Sequence, residues 1–199
     1  MVLLSWLEPL RGVGSRRGAS ALFGAFIVCL ACVATPCKAQ SVASGEYQIK
    51  AAFLYKFLNF VEWPPPAFDS QNSPLVIGVL DAETLGDELS QVVGGRSVNG
   101  RSLVVQRLRS GDSLAGLHVL FVGRSGSARI PKLVAEANGR PLLIVGESED
   151  AFVLGSAINF VVVDDKVRFD VSLRRAETVG LKISARLLAV ARRVLASTS

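Results

Sequence analysis

Apolar residues recur at helical spacing in the first well-patterned segment of the chain, from Glu46 to Trp63. One stripe comprises Ile49, Phe53, Phe57 and Phe60. A second stripe, about 100° round the helix axis, comprises Tyr47, Leu54, Leu58 and Val61. Because one sheet face covers only one stripe, the second either packs within the same domain or meets a partner chain. The three prolines at 64–66 lack amide hydrogens and end the predicted helix.

Short β-branched runs then alternate with amphipathic segments. The pattern predicts strands over 74–80, 102–108, 117–122, 141–145, 157–163 and 167–173, and helices over 82–93 and 128–138. The strand–helix–strand order favours parallel pairing. The last two strands are separated only by Asp164, Asp165 and Lys166, the length of a hairpin connection, so we expect a mixed sheet.

The C-terminal segment 174–196 is predicted to form one long amphipathic helix. Its apolar face comprises Gly180, Ile183, Leu187, Val190, Ala191 and Val194. Lys182, Arg186 and Arg193 cluster roughly opposite, either as a solvated polar face or as a surface oriented toward an anionic membrane. The sequence therefore predicts a single α/β domain of three layers, in which helices flank a mixed, mostly parallel sheet and a long helix closes the chain.

The first 39 residues have the composition of a secretory signal peptide. A stretch with three arginines, up to Arg17, precedes an uncharged run over 19–34, which is shorter than the roughly 20 residues that a membrane-spanning helix needs. The Cys-Lys-Ala triplet that ends at Ala39 matches the small-x-small pattern of a cleavage site. We expect cleavage between Ala39 and Gln40, export to the periplasm and a mature domain over 40–199; an uncleaved anchor is the alternative.

The net charge of the predicted mature domain is smaller than that of the whole chain. The 199-residue chain has a formal charge of +5, but residues 40–199 carry 18 Lys and Arg against 16 Asp and Glu. A nucleic-acid-binding protein needs a concentrated basic surface, so we exclude that class. All three cysteines precede residue 40, so the mature domain must be stabilised by its core without a disulfide.

Few residues support catalysis. The one histidine, His118, lies in an apolar predicted strand, which favours a structural imidazole. The acidic clusters at 147–150 and 164–165 fall in predicted loops and match no ligand spacing, so we interpret them as solvated. Residues 123–127 lie between a strand and a helix, where a phosphate cradle is found, although an ordinary βα turn is the simpler interpretation. We therefore assign no catalytic residue, no metal ligand and no cofactor.

Three parts of the sequence together resemble the YfiR family of exported bacterial proteins. The first runs from Tyr47 to Pro64 and ends in Glu-Trp-Pro; the second combines 74–80 with 98–103; the third combines 167–171 with 180–191. The resemblance implies a non-enzymatic periplasmic α/β protein that binds the periplasmic sensor domain of an inner-membrane diguanylate cyclase and represses it. Cyclic di-GMP output, and with it biofilm formation, would fall.

The resemblance also implies that the protein can form a homodimer. Some members carry disulfides that couple activity to redox state, but this sequence has no cysteine after Cys37, which leaves redox sensing without a basis. We hypothesise two patches near a dimer or cyclase surface, namely Leu54, Leu58, Val61 and Trp63, and Lys182, Arg186 and Arg193.

Two other classes of function compete with a regulator. The first is a periplasmic small-ligand module, with its ligand at the carboxyl ends of the parallel strands near Asp81, Gly123 and Gly146. The second, with less support, is a hydrolase that uses Glu147 or Asp164.

Overall fold

An eight-stranded sheet runs through the part of the chain that the computed structural model describes, residues 38–196. The described residues form eight strands in this sheet and two, β1 and β9, in a separate pair. In chain order they are β1 (Val61–Glu62), β2 (Leu75–Leu80), β3 (Ser97–Val98), β4 (Arg101–Leu108), β5 (Val119–Val122), β6 (Leu143–Gly146), β7 (Ile158–Val163), β8 (Lys166–Ser172), β9 (Lys182–Ile183) and β10 (Arg193–Leu195). The helices are α1 (Lys38–Phe57), α2 (Glu83–Val93), α3 (Ile130–Ala137), α4 (Ala151–Leu154), α5 (Leu173–Thr178) and α6 (Ala185–Val190). Most of the predicted leader lies outside the described residues.

The sheet is mixed and mostly parallel, as predicted. Its strand order is β10-β8-β7-β6-β5-β2-β4-β3, and the five strands from β7 to β4 run parallel to one another. At one end, β8 is antiparallel to β7, and β10 is parallel to β8. At the other end, β3 pairs antiparallel with β4, while β1 and β9 form a separate two-stranded pair. The prediction of one mixed α/β domain is confirmed.

Two apolar cores cover the sheet unequally. The larger core joins α1 and α2 to β2, β5, β6, β7 and β8. The smaller core joins α3 and α4 to β2, β4, β5 and β6 on the opposite face, and no described residue of β7, β8 or β10 belongs to it. We call β2, β4, β5 and β6 the sandwiched half, and β7, β8 and β10 the open half, because apolar packing covers only one face of β7 and β8 and neither core includes a residue of β10.

Helix α1 is anchored on the open half by aromatic packing. The ring of Phe57 packs edge-on against Phe169, with centroids 4.8 Å apart, and stacks on Phe160 at 5.7 Å. The helix ends at Phe57 rather than at the predicted Trp63. Residues Val61 and Glu62 instead pair with β9, because an extended segment there gains ladder hydrogen bonds before the prolines begin.

The prediction of one long C-terminal helix is wrong. The segment 174–196 folds as most of α5, then β9, α6 and β10. Gly180 has a left-handed φ of 74°, which ends the helical run after α5, and the Ser184 side chain caps α6 by accepting from the Arg186 amide. The apolar spacing of this segment is shared among short elements that pack separately, so the spacing alone does not identify a continuous helix.

The hairpin between β7 and β8 is confirmed, and it projects beyond the rest of the sheet. Asp164 and Asp165 have φ values of 49° and 56°, the left-handed pair that a two-residue hairpin turn requires. Strand β7 pairs with β6 only at Ile158 and Asn159, and β10 pairs with β8 only from Asp170 onward. Residues 161–168 therefore form a two-stranded ribbon, with Val162 47% exposed.

Candidate functional site

The first predicted interface patch lies mostly inside the protein. Leu54, Leu58 and Val61 are each 1% exposed and belong to the larger core, so these side chains are covered by their own chain. Trp63 is half-buried, and its indole N–H donates to the His118 carbonyl at 3.2 Å. The second apolar stripe of α1 is thus explained by packing within the domain, which corrects the placement of three of the four residues at a surface.

The second predicted patch is exposed but does not form one ridge. Lys182 is on β9, Arg186 is on α6 and Arg193 is on β10, because the segment is not a single helix. Only Arg193 takes part in an ion pair among the described residues, with its Nη2 3.0 Å from Asp170 Oδ2. The basic face predicted from helical spacing is therefore divided among three elements.

At the carboxyl ends of β2 and β5, where the strand order reverses, glycines let the chain pack closely on itself. A Cβ atom on Gly123 would overlap the Asp81 carbonyl, and one on Gly126 would lie 2.5 Å from Asp81 Oδ2. Asp81 is in turn ion-paired with Arg129. A Cβ on Gly146 would lie 2.6 Å from the Ala151 Cβ. The glycines at these positions permit close internal packing, and open clefts adjoin them, one lined by Asp81 and one lined by Arg124 and Glu147.

A buried ionic network joins α1 to the carboxyl end of β6. Lys50, with its side chain 1% exposed, pairs with both Glu46 and Glu147. Glu147 also accepts from the Tyr47 hydroxyl at 3.2 Å and from the Arg124 backbone amide at 2.9 Å. Burial, followed by the charge of Glu147 and its hydrogen bond, raises the pKa of Tyr47 to about 12. Every charge that α1 buries here thus has an ionic partner.

A second buried carboxylate is paired with two arginines that lie further along the chain. Asp170 is fully buried in β8, and the Nε–Nη2 edge of Arg192 donates to both of its carboxylate oxygens, with Nε 2.7 Å from Oδ1. Arg193 adds a third contact. The hydrogen bond from Arg192 to Asp170 raises the pKa of the guanidinium above its ordinary value. Two cations on one carboxylate leave a positive surplus at this place.

These two networks border one open cleft. The cleft has a volume of about 610 Å³ and lies against β7 and β8. Its charged and polar lining residues are Arg124, Glu147, Ser148, Glu149, Asn159, Asp170, Arg192 and Arg193. We call it the arginine cleft. Among the described residues, Asn159 Oδ1 and Ser148 Oγ have no hydrogen-bond partner although both atoms are buried. The cleft is the candidate functional site.

Sequence reasoning missed most of this cleft. Lys50, Asp170 and Arg192 were not among the predicted site residues, and Glu147 was interpreted as solvated. Apolar and polar residues alternate over 167–172, which gives Asp170 the pattern of a solvent-facing strand residue, although the structure buries it. Nothing in the spacing pointed to its cationic partner, because Arg192 lies 22 residues further along the chain.

His118 has the structural role that its position predicted. Its Nδ1 accepts from the Val76 amide at 3.1 Å, and its Nε2 lies 3.0 Å from the Ala67 carbonyl. Phe68 stacks on the imidazole with centroids 4.4 Å apart. Burial lowers the pKa of His118, so the ring is neutral and donates from Nε2. The imidazole thereby fixes the loop after β1 to the amino ends of β2 and β5.

The acidic loops form no metal centre in the described part of the chain. Residues 38–196 contain no group of three or more His, Cys, Asp or Glu residues placed to hold a metal ion. Asp164 and Asp165 lie exposed in the hairpin turn, and Glu149 and Asp150 are also exposed. Among the helices described, none combines the length and apolar character needed to cross a membrane.

Comparison with known families decides what kind of protein carries this cleft. A family model described as YfiR/HmsC-like matches residues 47–192, which is well over half of the chain. The chain belongs to the YfiR/HmsC-like family. The match begins in α1 and ends at Arg192, so it includes the Lys50–Glu147 and Arg192–Asp170 pairs, while Glu46 and Arg193 lie just outside it. YfiR-like proteins are periplasmic regulators connected with diguanylate cyclases, and theirs is a regulatory rather than a catalytic family.

Solved structures share the fold of this YfiR-like chain at low sequence identity. A conserved domain protein from Vibrio cholerae O1 biovar El Tor strain N16961 is 14% identical with a TM-score of 0.51, covering 74% of this chain and 60% of that one. An ABC domain from Streptococcus pneumoniae, in complex with L-Trp, is 11% identical with a TM-score of 0.51, covering 75% and 60%. This chain spans about 60% of either structure. Comparison with curated proteins gives no match.

Proposed function

We propose that this protein is exported to the periplasm, where it binds the sensor domain of an inner-membrane diguanylate cyclase and holds the cyclase inactive. The observation that carries the proposal is the YfiR/HmsC-like match over residues 47–192. Repression lowers cyclic di-GMP and, with it, biofilm formation. The proposal includes removal of a leader over residues 1–39 and action without a cofactor.

A regulator of this kind needs a stable surface rather than reactive groups. Trp63, Lys182, Arg186 and Arg193 remain candidates for contact with the cyclase or with a second copy in a homodimer, because each is at least partly exposed. Leu54, Leu58 and Val61 contribute indirectly, since they hold α1 on the sheet. The basic residues also favour a position close to the anionic membrane that carries the cyclase.

Two linked measurements test the proposed function. The protein, expressed with an affinity tag from its full-length gene, is purified from detergent-solubilised membranes together with a candidate cyclase, first one encoded beside this gene. Cellular cyclic di-GMP is measured in parallel after deletion of the gene. We expect co-purification and a rise in cyclic di-GMP. Failure of both for every membrane cyclase of the host would overturn the proposal.

A second candidate function is binding of a small amphoteric ligand, such as an amino acid. Two observations favour it: the arginine cleft offers about 610 Å³ lined by both charges, and the fold is shared with an ABC domain solved in complex with L-Trp. A ligand that binds only the native state raises the melting temperature. A screen of amino acids by thermal shift with no rise for any of them would remove this candidate.

A further inference from the structure

Two of the three carboxylates that line the arginine cleft are paired already. Asp170 accepts from Arg192 and lies beside Arg193, and Glu147 is paired with Lys50 and accepts from Tyr47 and a backbone amide. The exception is Glu149, which is exposed and has no ionic partner among the described residues. Within residues 38–196, Glu149 and the unpartnered Asn159 Oδ1 are thus lining acceptors that remain, beside the exposed guanidiniums of Arg124 and Arg193.

Hydrogen-bond donors, by contrast, remain available. The exposed Arg124 guanidinium has no acceptor among the described residues, whose contacts with Arg124 involve only its backbone amide. The Arg193 side chain is 56% exposed and makes one ionic contact. A guanidinium has five N–H donors in a planar fork that matches a carboxylate in a bidentate arrangement. Two such forks at one cleft select for carboxylate oxygens.

The cleft also suits an extended segment of another protein. It is open along the uncovered face of β7 and β8, and Val161, Val162 and Val163 form part of its wall. Val163 is 36% exposed, which offers an apolar contact beside the arginines. A segment with carboxylates and apolar residues would thus find complementary groups for both kinds of side chain.

We infer that the arginine cleft is the docking point for a carboxylate-bearing segment of the cyclase periplasmic domain, held by Arg124 and Arg193. The inference rests on the proposed function and names the surface at which it operates. Arg192 stays on Asp170 and keeps the floor of the cleft in place. Because the contacting arginines are exposed, salt weakens the attraction.

The test compares two double variants of the full-length protein with equal change of charge. Arg124→Glu with Arg193→Gln alters the cleft and leaves the Arg192 pair on Asp170 intact. Arg109→Glu with Lys132→Gln is the matched control, since both residues are exposed and lie outside the cleft. Melting curves confirm that each variant is folded. Capture of the cyclase is then measured across a series of salt concentrations.

We expect the cleft variant to lose at least about tenfold in cyclase affinity, while the control variant stays within about twofold of wild type. Wild-type capture should also fall as salt rises. Equal capture by the cleft variant and wild type would overturn the inference and leave the proposed function standing. Equal loss in both variants would overturn it as well, since general charge would then explain the effect. No capture by wild type would overturn the proposed function and this inference with it.

Discussion

The two halves of the sheet differ in how their faces are covered. In the sandwiched half, apolar cores cover both faces, and residues such as Leu120 and Phe121 are fully buried on opposite sides of one strand. In the open half, aromatic rings cover one face, while the other carries Asn159, Asp170 and the arginines that pair with Asp170. The same fold thus combines a rigid scaffold with an accessible polar surface, which is the combination that a binding protein needs.

Charge is distributed in keeping with that division. Residues 164–196 contain eight Lys and Arg against four Asp and Glu, whereas residues 40–163 contain ten against twelve. The surplus positive charge of the mature domain is therefore concentrated in and beside the open half. A negatively charged partner that approaches this side meets an attractive field that the rest of the molecule does not provide.

The largest expected effect lies at the seam between the halves, where Lys50 ties α1 to Glu147. We expect Lys50→Met to lower the free energy of unfolding by about 3–5 kcal/mol, because a buried carboxylate loses its main cationic partner. The double variant Lys50→Met with Glu147→Gln should recover part of that loss. Urea unfolding measures both. The single variant Glu147→Gln completes the comparison. If the loss of the double variant equals the sum of the losses of the two single variants, Lys50 and Glu147 are not energetically coupled.

Two substitutions of apolar side chains measure the difference in packing between the sandwiched half and the open half. Leu120→Ala, in the smaller core, should cost about 2–5 kcal/mol through lost burial and a cavity. Val162→Thr, on the projecting ribbon of the open half, should stay within about 0.5 kcal/mol. Chemical denaturation provides both values. A comparable cost at Val162 would mean that the ribbon is packed against something in solution.

The smallest effect is a pH dependence that arises at His118, away from the open half. Its pKa is lower in the folded protein than the ordinary value near 6.5, because of burial first and then the nearby Arg101, against which Asp69 and the Ala67 carbonyl act. The unfolded chain thus takes up a proton first, and the free energy of unfolding falls as pH drops below about 6.5, by at most about 1.4 kcal/mol per unit. Melting curves at pH 7.5 and 5.5 measure the fall. His118→Gln should reduce it; an unchanged fall in that variant would assign it to carboxylates.

Local sequence signals were sufficient for the parallel strands and insufficient for the C-terminal segment. The run Leu75–Leu80 is short, apolar and β-branched, so its strand is evident from composition. From residue 174 onward, small apolar residues satisfy helical spacing by accident, while Gly180 and Ser184 divide the segment. Which of these competing signals prevails depends on contacts with distant elements, such as the pairing of β9 with β1.

The candidate site was harder to predict than the fold for a related reason. The arginine cleft is assembled from the loops after β5 and β6, the strands β7 and β8, and residues 192–193, which come together only in three dimensions. The environment of single residues in the structure also differs from the environment that the sequence pattern predicts. Leu58 has the pattern of an interface residue and lies in the core, whereas Glu147 has the pattern of a solvated loop acid and lies in an ionic network.

Strand β10 is the last regular element among the residues that the structure describes, and Arg192 and Arg193, immediately before and at its start, neutralise the buried Asp170. A polypeptide delivered amino terminus first, from a ribosome or through a translocation channel, releases Asp170 before these arginines, which lie 22 residues or more further along the chain. Until then, the carboxylate in β8 has no cation with which to leave water. The open half therefore cannot close before residues 192–193 have followed it, and a chain that stopped before Arg192 would lack the charges that complete it.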